Sequence, residues 1–158
     1  MTERLRGEIH RPRGGEPDGR WLAALWRLER RCYPPGLAYS PEMLAGWLSD
    51  SATLTLGLWS GDLLIAAQIS ELGTGHLITL DVDPRFQRRG LGRRLLRITL
   101  HLLRRWGGHR RTLCEIGAKN QASLALHRAE GFSIIGLLPG YYPNGEDALL
   151  LTRPLGRV

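Results

Sequence analysis

Apolar positions recur at helical spacing from Trp21, where Leu22, Leu25, Trp26 and Leu28 form one stripe as far as about Arg31, and Tyr33-Pro34-Pro35-Gly36 stops it. Ser40 can cap a second helix with Pro41 in its first turn, and Met43, Leu44, Trp47 and Leu48 supply its buried stripe. The period then changes. Residues 52–59 and 63–70 read as two strands joined by the hairpin turn Ser60-Gly61-Asp62. After a turn at 71–75, Leu77, Ile78, Leu80 and Val82 make a further strand, which Asp83-Pro84 ends because proline cannot continue a ladder. A long helix over about 91–106 stops at Gly107-Gly108, a strand covers about 112–117, and Asn120 opens a helix running to Glu130. Strands near 132–137 and 148–152 finish the chain; a short strand near 4–10 begins it, followed by breaker-rich residues 11–20, predicted as a flexible loop. The order β-α-α-β-β-β-α-β-α-β-β predicts an α+β fold, a mixed sheet with helices on both faces, in one domain over 1–158.

At 158 residues the chain can bury one real core and is too short for two. It has no run of about 18 apolar residues, and its amino terminus is charged, so the expectation is a cytoplasmic protein without a membrane span or secretory signal. Cys32 and Cys114 stand apart and read as reduced thiols, and neither they nor the five histidines have metal-ligand spacing, so no metal is expected. A formal net charge of +7 favours polyanionic contacts, whether coenzyme phosphates, ribosomal surfaces, nucleic acid or acidic peptides. Lys119 is the only lysine among the 22 basic side chains, an arginine bias that genomic base composition alone can produce.

The densest chemistry lies between residues 76 and 96, which read as strand, glycine turn and basic amphipathic helix. Gly90 and Gly92 let the backbone approach a ligand, and the first-turn N–H groups of the following helix lack intrahelical partners. With the positive end of the helix dipole and Arg88, Arg89, Arg93 and Arg94 nearby, those donors suit a diphosphate. Two other phosphate loops are excluded: Gly92-Arg93-Arg94 stands where a Walker loop needs Gly-Lys-Ser/Thr, and Leu95 where a dinucleotide fingerprint needs its third glycine.

Gln87-Arg88-Arg89-Gly90-Leu91-Gly92 matches Gln/Arg-x-x-Gly-x-Gly/Ala, the acetyl-coenzyme A motif of the GCN5-related N-acetyltransferase (GNAT) superfamily. Residues 115–132 resemble that superfamily's second signature, a strand, an asparagine-led helix and a terminal Gly-Phe, and residues 141–148 are similar to the tail of its ribosomal-protein-alanine N-acetyltransferase branch. The resemblance implies the single-domain GNAT fold with a mostly antiparallel sheet, acetyl-CoA as co-substrate, and an amine acceptor on a protein or peptide, a ribosomal protein among the candidates. It implies that Gln87, Arg88, Arg89, Gly90, Leu91 and Gly92 hold the pyrophosphate, that Leu80, Asp81 and Val82 belong to the strand meeting the thioester, and that Asn120 touches the coenzyme. Asn120 can equally be a plain helix cap. Tyr141 and Tyr142 stand where the branch lines its peptide groove, and their alternative is to cover the core.

For the general base the resemblance points to Glu115, a charge inside the apolar stretch Leu113-Cys114-Glu115-Ile116, which is costly unless paired or facing a cleft. Asp81 is the rival, to share the base role, alter substrate choice or simply pair with an arginine. His127 stands where the family usually has the tyrosine that protonates the leaving thiolate. With a pKa near 6.5 against about 10 for tyrosine, it donates below neutrality and increasingly fails above it, or else only packs against the coenzyme. A protein α-amine, pKa about 7.7–8.0, is neutral far more often at pH 7 than a lysine near 10.4, so a single-carboxylate base suits the amino terminus of a protein. Lysine or small-molecule acetylation, and a non-catalytic acetyl-CoA-binding module, stay open; nucleic acid is not the expected substrate.

Overall fold

The computed structural model describes residues 4–156; the first three residues of the charged amino terminus and the last two of the chain lie outside them. Twelve elements follow in the predicted order: β1 Leu5–His10, α1 Gly19–Cys32, α2 Pro41–Ser49, β2 Thr53–Ser60, β3 Leu63–Glu71, β4 His76–Val82, a 3-10 turn Pro84–Phe86, α3 Leu91–Gly107, β5 Arg111–Gly117, α4 Gln121–Ala129, β6 Ser133–Leu138 and β7 Ala148–Pro154. The strands form one seven-stranded sheet in the order β1-β2-β3-β4-β5-β7-β6, antiparallel throughout except at β4–β5.

Two apolar cores sit on opposite faces of this sheet. Leu95, Leu96, Leu100 and Leu103 of α3 and Leu124 of α4 pack on Leu56, Leu77, Cys114, Ile116 and Leu151 on one side. Trp21, Leu25 and Leu28 of α1 and Leu44 and Leu48 of α2 pack on Trp59, Leu64, Ala67 and Ile69 on the other. Gly57 on β2 leaves room for Trp21, whose nearest ring carbon lies 2.6 Å from where a Cβ would stand.

Several expectations change. The breaker-rich segment is shorter than 11–20, because the Asp18 carboxylate accepts from Arg20 and Trp21 N–H and starts α1 at Gly19, while Arg20 bonds Glu8 on β1 at 2.9 Å. Trp26 and Met43, assigned to buried stripes, are 40% and 48% exposed. Most consequential is a bulge in β4: Ile69 opposes Thr79 while Ser70 opposes Leu77, so Ile78 is the extra residue. Leu77 faces α3, Ile78 and Thr79 both face α1, and alternation resumes with Leu80 and Val82 under α3 and Asp81 under α1.

Candidate active site

At the end of β4 the chain enters the glycine turn. Asp83, fully buried, accepts from Arg31 Nε at 2.6 Å and from Arg85 Nη2 at 2.8 Å, and Gln87 Nε2 donates to Val82 O at 3.0 Å, which fixes the turn to the strand. The Arg85 guanidinium, with Arg31 behind it, holds the Asp83 carboxyl down at about 2. Arg88 has φ 61° and Gly90 φ 77°, and α3 starts with no side-chain cap. The main-chain N–H groups of Gly90, Leu91, Gly92 and Arg93 donate to no group of the protein among the described residues. The two glycines serve different ends. Gly90 supplies the left-handed backbone with nothing within 4 Å of a would-be Cβ, whereas a Cβ on Gly92 would lie 3.4 Å from Leu126 and 3.6 Å from Val82, so Gly92 seats the helix on β4 and α4. Of the four arginines grouped here, Arg93 is already paired with Glu130 at 3.1 Å, and Arg89 lies over the Phe86 ring.

The parallel pair β4–β5 is joined only at His76–Leu113 and Leu77–Cys114, and from Ile78 onward the two strands diverge. A cavity of about 580 Å³ occupies the gap and runs through the sheet. Leu77, Leu80, Cys114, Ile116, Asn120 and His127 line its α3–α4 side; Tyr33, Tyr39, Met43, Thr79, Glu115, Tyr141 and Tyr142 line its other side. The edge of β4 that faces β5 therefore carries unpaired main-chain groups along one wall.

Glu115 alternates with the buried Cys114 and Ile116 and so leaves the sheet on the face that α3 does not cover. His76, beside it on β4, donates from Nε2 to Glu115 Oε2 at 2.6 Å. That bond raises the His76 pKa above its ordinary value of about 6.5. Glu115 lines the cavity and His76 does not, so the imidazole stands behind the carboxylate, partly in solvent.

His127 lies on the opposite wall, only 3% exposed, edge-on to Phe132 at 5.0 Å. Its Nδ1 sits 2.8 Å from Ser123 O, and because a carbonyl can only accept, Nδ1 carries the proton and Nε2 is left as a lone pair. Burial lowers the pKa, which favours the neutral ring, and in that form Nε2 carries no proton. Asn120 Oδ1 accepts from Ser123 N–H at 3.1 Å, the cap of α4, while the residue also lines the cavity. Tyr141 and Tyr142 pack edge to face at 5.1 Å on the cavity rim, with burial pushing the Tyr142 phenol up to about 12.

Asp81 is elsewhere. The bulge at Ile78 turns it under α1, 2% exposed and away from the cavity, where it accepts from Tyr33 OH at 2.9 Å and Thr79 Oγ1 at 2.6 Å. Among the described residues it pairs with no arginine; its neighbour is Glu29, whose Oε2 accepts from Tyr39 N–H at 3.0 Å and whose Oε1 has no partner there. Two carboxyls this deep cannot both ionise, and burial with the Asp81 charge beside it pushes Glu29 up to about 9, so Glu29 is the one that keeps its proton. Neither this pair nor His76 was read from the sequence. Glu29 did leave a signal, falling four residues after Leu25 on the α1 stripe; His76 left none, since its partner is 39 residues away.

Residues 22–132 match the Acetyltransferase (GNAT) family over more than half of the chain. The chain belongs to the GNAT family. It is 33% identical over 139 residues to the [ribosomal protein bS18]-alanine N-acetyltransferase of Salmonella typhimurium, covering 85% of this chain and 91% of that protein. The N-alpha-acetyltransferase RimI of Mycobacterium tuberculosis is 41% identical over 108 residues, 64% of this chain and 66% of that protein. The crystal structure of the ribosomal-protein-S18-alanine N-acetyltransferase from Escherichia coli superposes with a TM-score of 0.79 at 25% identity, covering 97% of this chain and 96% of that one.

GNAT membership brings acetyl-CoA as co-substrate, and the residues present fit it. Four free N–H groups at the head of a 17-residue helix make an anion seat, and the gap between β4 and β5 gives a channel from that end of the sheet. Among the described residues no cluster of side chains could hold a metal ion, and no helix is long and apolar enough to cross a membrane.

Proposed function

We propose that this GNAT enzyme moves the acetyl group of acetyl-CoA directly to the α-amino group at the amino terminus of a protein, with Glu115 as the base. The observation that carries this reading is the position of Glu115 on one wall of a cavity that passes through the sheet, opposite the wall that includes Leu80, which lies 3.9 Å from a would-be Cβ on Gly92 of the turn. Bound acetyl-CoA supplies an activated carbonyl whose leaving thiolate has a conjugate pKa of about 8.5. Gly90, Leu91, Gly92 and Arg93 would hold its pyrophosphate through main-chain N–H groups, with Arg88 and Arg94 adding charge. Main-chain N–H groups on the free edge of β4 are suited to the developing oxyanion.

Glu115 Oε1 is free to take the proton of the incoming amine while Oε2 stays bonded to His76. His76 already holds a proton on Nε2 against Oε2 and cannot take this one, so Oε1 releases it to solvent through the mouth of the cavity, which returns the carboxylate to its basic form. His127 contributes a neutral ring and an acceptor at Nε2, so the thiolate leaves without a proton from this side chain. Tyr33, Tyr39, Tyr141 and Tyr142 frame the amine side with flat apolar walls and hydroxyl tips, a surface that takes a short peptide end. The relatives named above make a ribosomal protein beginning with alanine the first acceptor to try.

The test is mass spectrometry of a peptide library incubated with enzyme and acetyl-CoA. Acetylation of free α-amines is the expected product. Modification confined to lysines of amino-terminally blocked peptides would replace the acceptor assigned here, and no transfer to any amine would favour a coenzyme-binding module.

A further inference from the structure

Gln68 is 1% exposed, and neither its Oε1 nor its Nε2 hydrogen-bonds to another group among the described residues. Several buried hydroxyls and Trp59 Nε1 are in the same condition, but Gln68 is the one of these side chains that lines the cavity. Its place is set by register. Gln68 opposes Leu80 across the β3–β4 ladder, so its side chain leaves on the α3 face, beside the wall made by Leu77, Leu80, Cys114 and Ile116. β3 lies on the far side of β4 from the gap, so the Gln68 side chain meets the cavity wall from behind β4, with its amide atoms buried there. None of residues 87–92 lines that space. The part of a thioester that would enter this space therefore lies beyond the pyrophosphate, toward its acyl end.

Building on the acetyl-CoA reading above, we propose that Gln68 selects the acyl group, and that short acyl chains carrying a hydroxyl are donors alongside acetyl. A carboxamide offers one acceptor and a donor pair, and a hydroxyl satisfies both kinds at once. A methyl or ethyl group satisfies neither and leaves two polar atoms dry in an apolar wall. A carboxylate is a poorer match, because His127 is neutral and Lys119 stands at the rim, 3.9 Å from Glu146. The reaction is otherwise unchanged: the C–N bond forms as the C–S bond breaks, the amine proton leaves through Glu115, and the thiolate departs.

Hydroxyacetyl-CoA and propionyl-CoA differ only by OH against CH₃, so their ratio isolates the hydrogen bond. Dissociation constants from titration calorimetry, with transfer rates to an alanine-starting peptide beside them, are expected to favour hydroxyacetyl-CoA by about tenfold in the wild type, the worth of one buried hydrogen bond. Gln68→Leu should reverse that preference and bind acetyl-CoA at least as tightly as the wild type. Equal affinities in the wild type, the result if solvent alone satisfies the amide, or a preference that survives in Gln68→Leu, would overturn the assignment. Should the variant fail to fold, the wild-type ratio decides by itself: a value at or below one sinks the proposal. Normal acetyl-CoA binding with no discrimination removes only the role of Gln68, whereas failure to bind any of the three thioesters removes the acetyl-CoA reading as well.

Discussion

Glu115 stands between two buried neighbours, Cys114 and Ile116, and the price of a charge there is met only because the strand shows that one side chain to a cavity and to His76. Glu115→Gln keeps the shape and the partner but removes the base, so kcat should fall by roughly 10²-fold or more while the acetyl-CoA dissociation constant holds. Unchanged turnover would transfer the proton to water. Because Glu115 raises the His76 pKa, the imidazole stays protonated somewhat above pH 6.5 and keeps the carboxylate from accepting a proton. The rate should therefore climb with pH through that raised ionisation, and His76→Asn should move the acid limb toward the carboxylate range; identical profiles would make His76 a bystander. His127→Tyr puts a phenol proton on the cavity wall opposite Glu115, and a gain of no more than about tenfold in kcat is expected, since a thiolate is already a fair leaving group. A large loss on this substitution would mean that the Nε2 lone pair has a task of its own.

At the scale of elements, the strands and helices could be read because each keeps one period and ends at a strong breaker, as β4 does at Asp83-Pro84 and α3 at Gly107-Gly108. The bulge at Ile78 could not, because nothing in an apolar run marks which residue is extra. Without it, Asp81 would share the face of Leu77 and look toward the coenzyme, the position the sequence suggested; with it, the side chain is buried under α1. The Gly90–Gly92 turn and Glu115 were legible because their chemistry is local. The His76 pairing and the Glu29–Asp81 contact depend on register between distant strands and helices, and so were not. The turn makes its own prediction. Gly90 has open space but φ 77°, so the penalty of replacing it is conformational, about 1–2 kcal/mol for a residue with a Cβ, and Asn should be tolerated better than Ala, and Ala better than Val. Titration of acetyl-CoA against Gly90→Asn, Gly90→Ala and Gly90→Val should weaken in that order, and an equal affinity across the series would detach the left-handed turn from coenzyme binding.

For the whole molecule, the two unusual acid sites tilt stability in opposite senses. Asp83, held down at about 2 when folded, adds stability that is complete above its unfolded value and is lost as pH falls through about 4 toward 2. Glu29, pushed up to about 9, keeps a proton in the folded chain that the unfolded chain releases above about pH 4.3, so its contribution declines steadily as pH rises from there to about 9. Unfolding temperature should accordingly peak in mildly acidic solution and slope downward through neutrality. Glu29→Gln supplies a permanent donor toward Asp81 and retains an acceptor for Tyr39 N–H, and it cannot ionise. It should leave the unfolding temperature near pH 4 almost unchanged and raise it at pH 8, each kcal/mol recovered appearing as about 2–4 °C for a chain of this size. Two curves that stay parallel from pH 4 to 8 would mean that the pair ionises as freely in the folded chain as outside it. Because Tyr33 and Tyr39 hang from the same pair and line the amine side of the cavity, a variant stabilised at pH 8 should also show a flatter pH dependence of peptide KM, linking the buried proton to the shape of the acceptor wall.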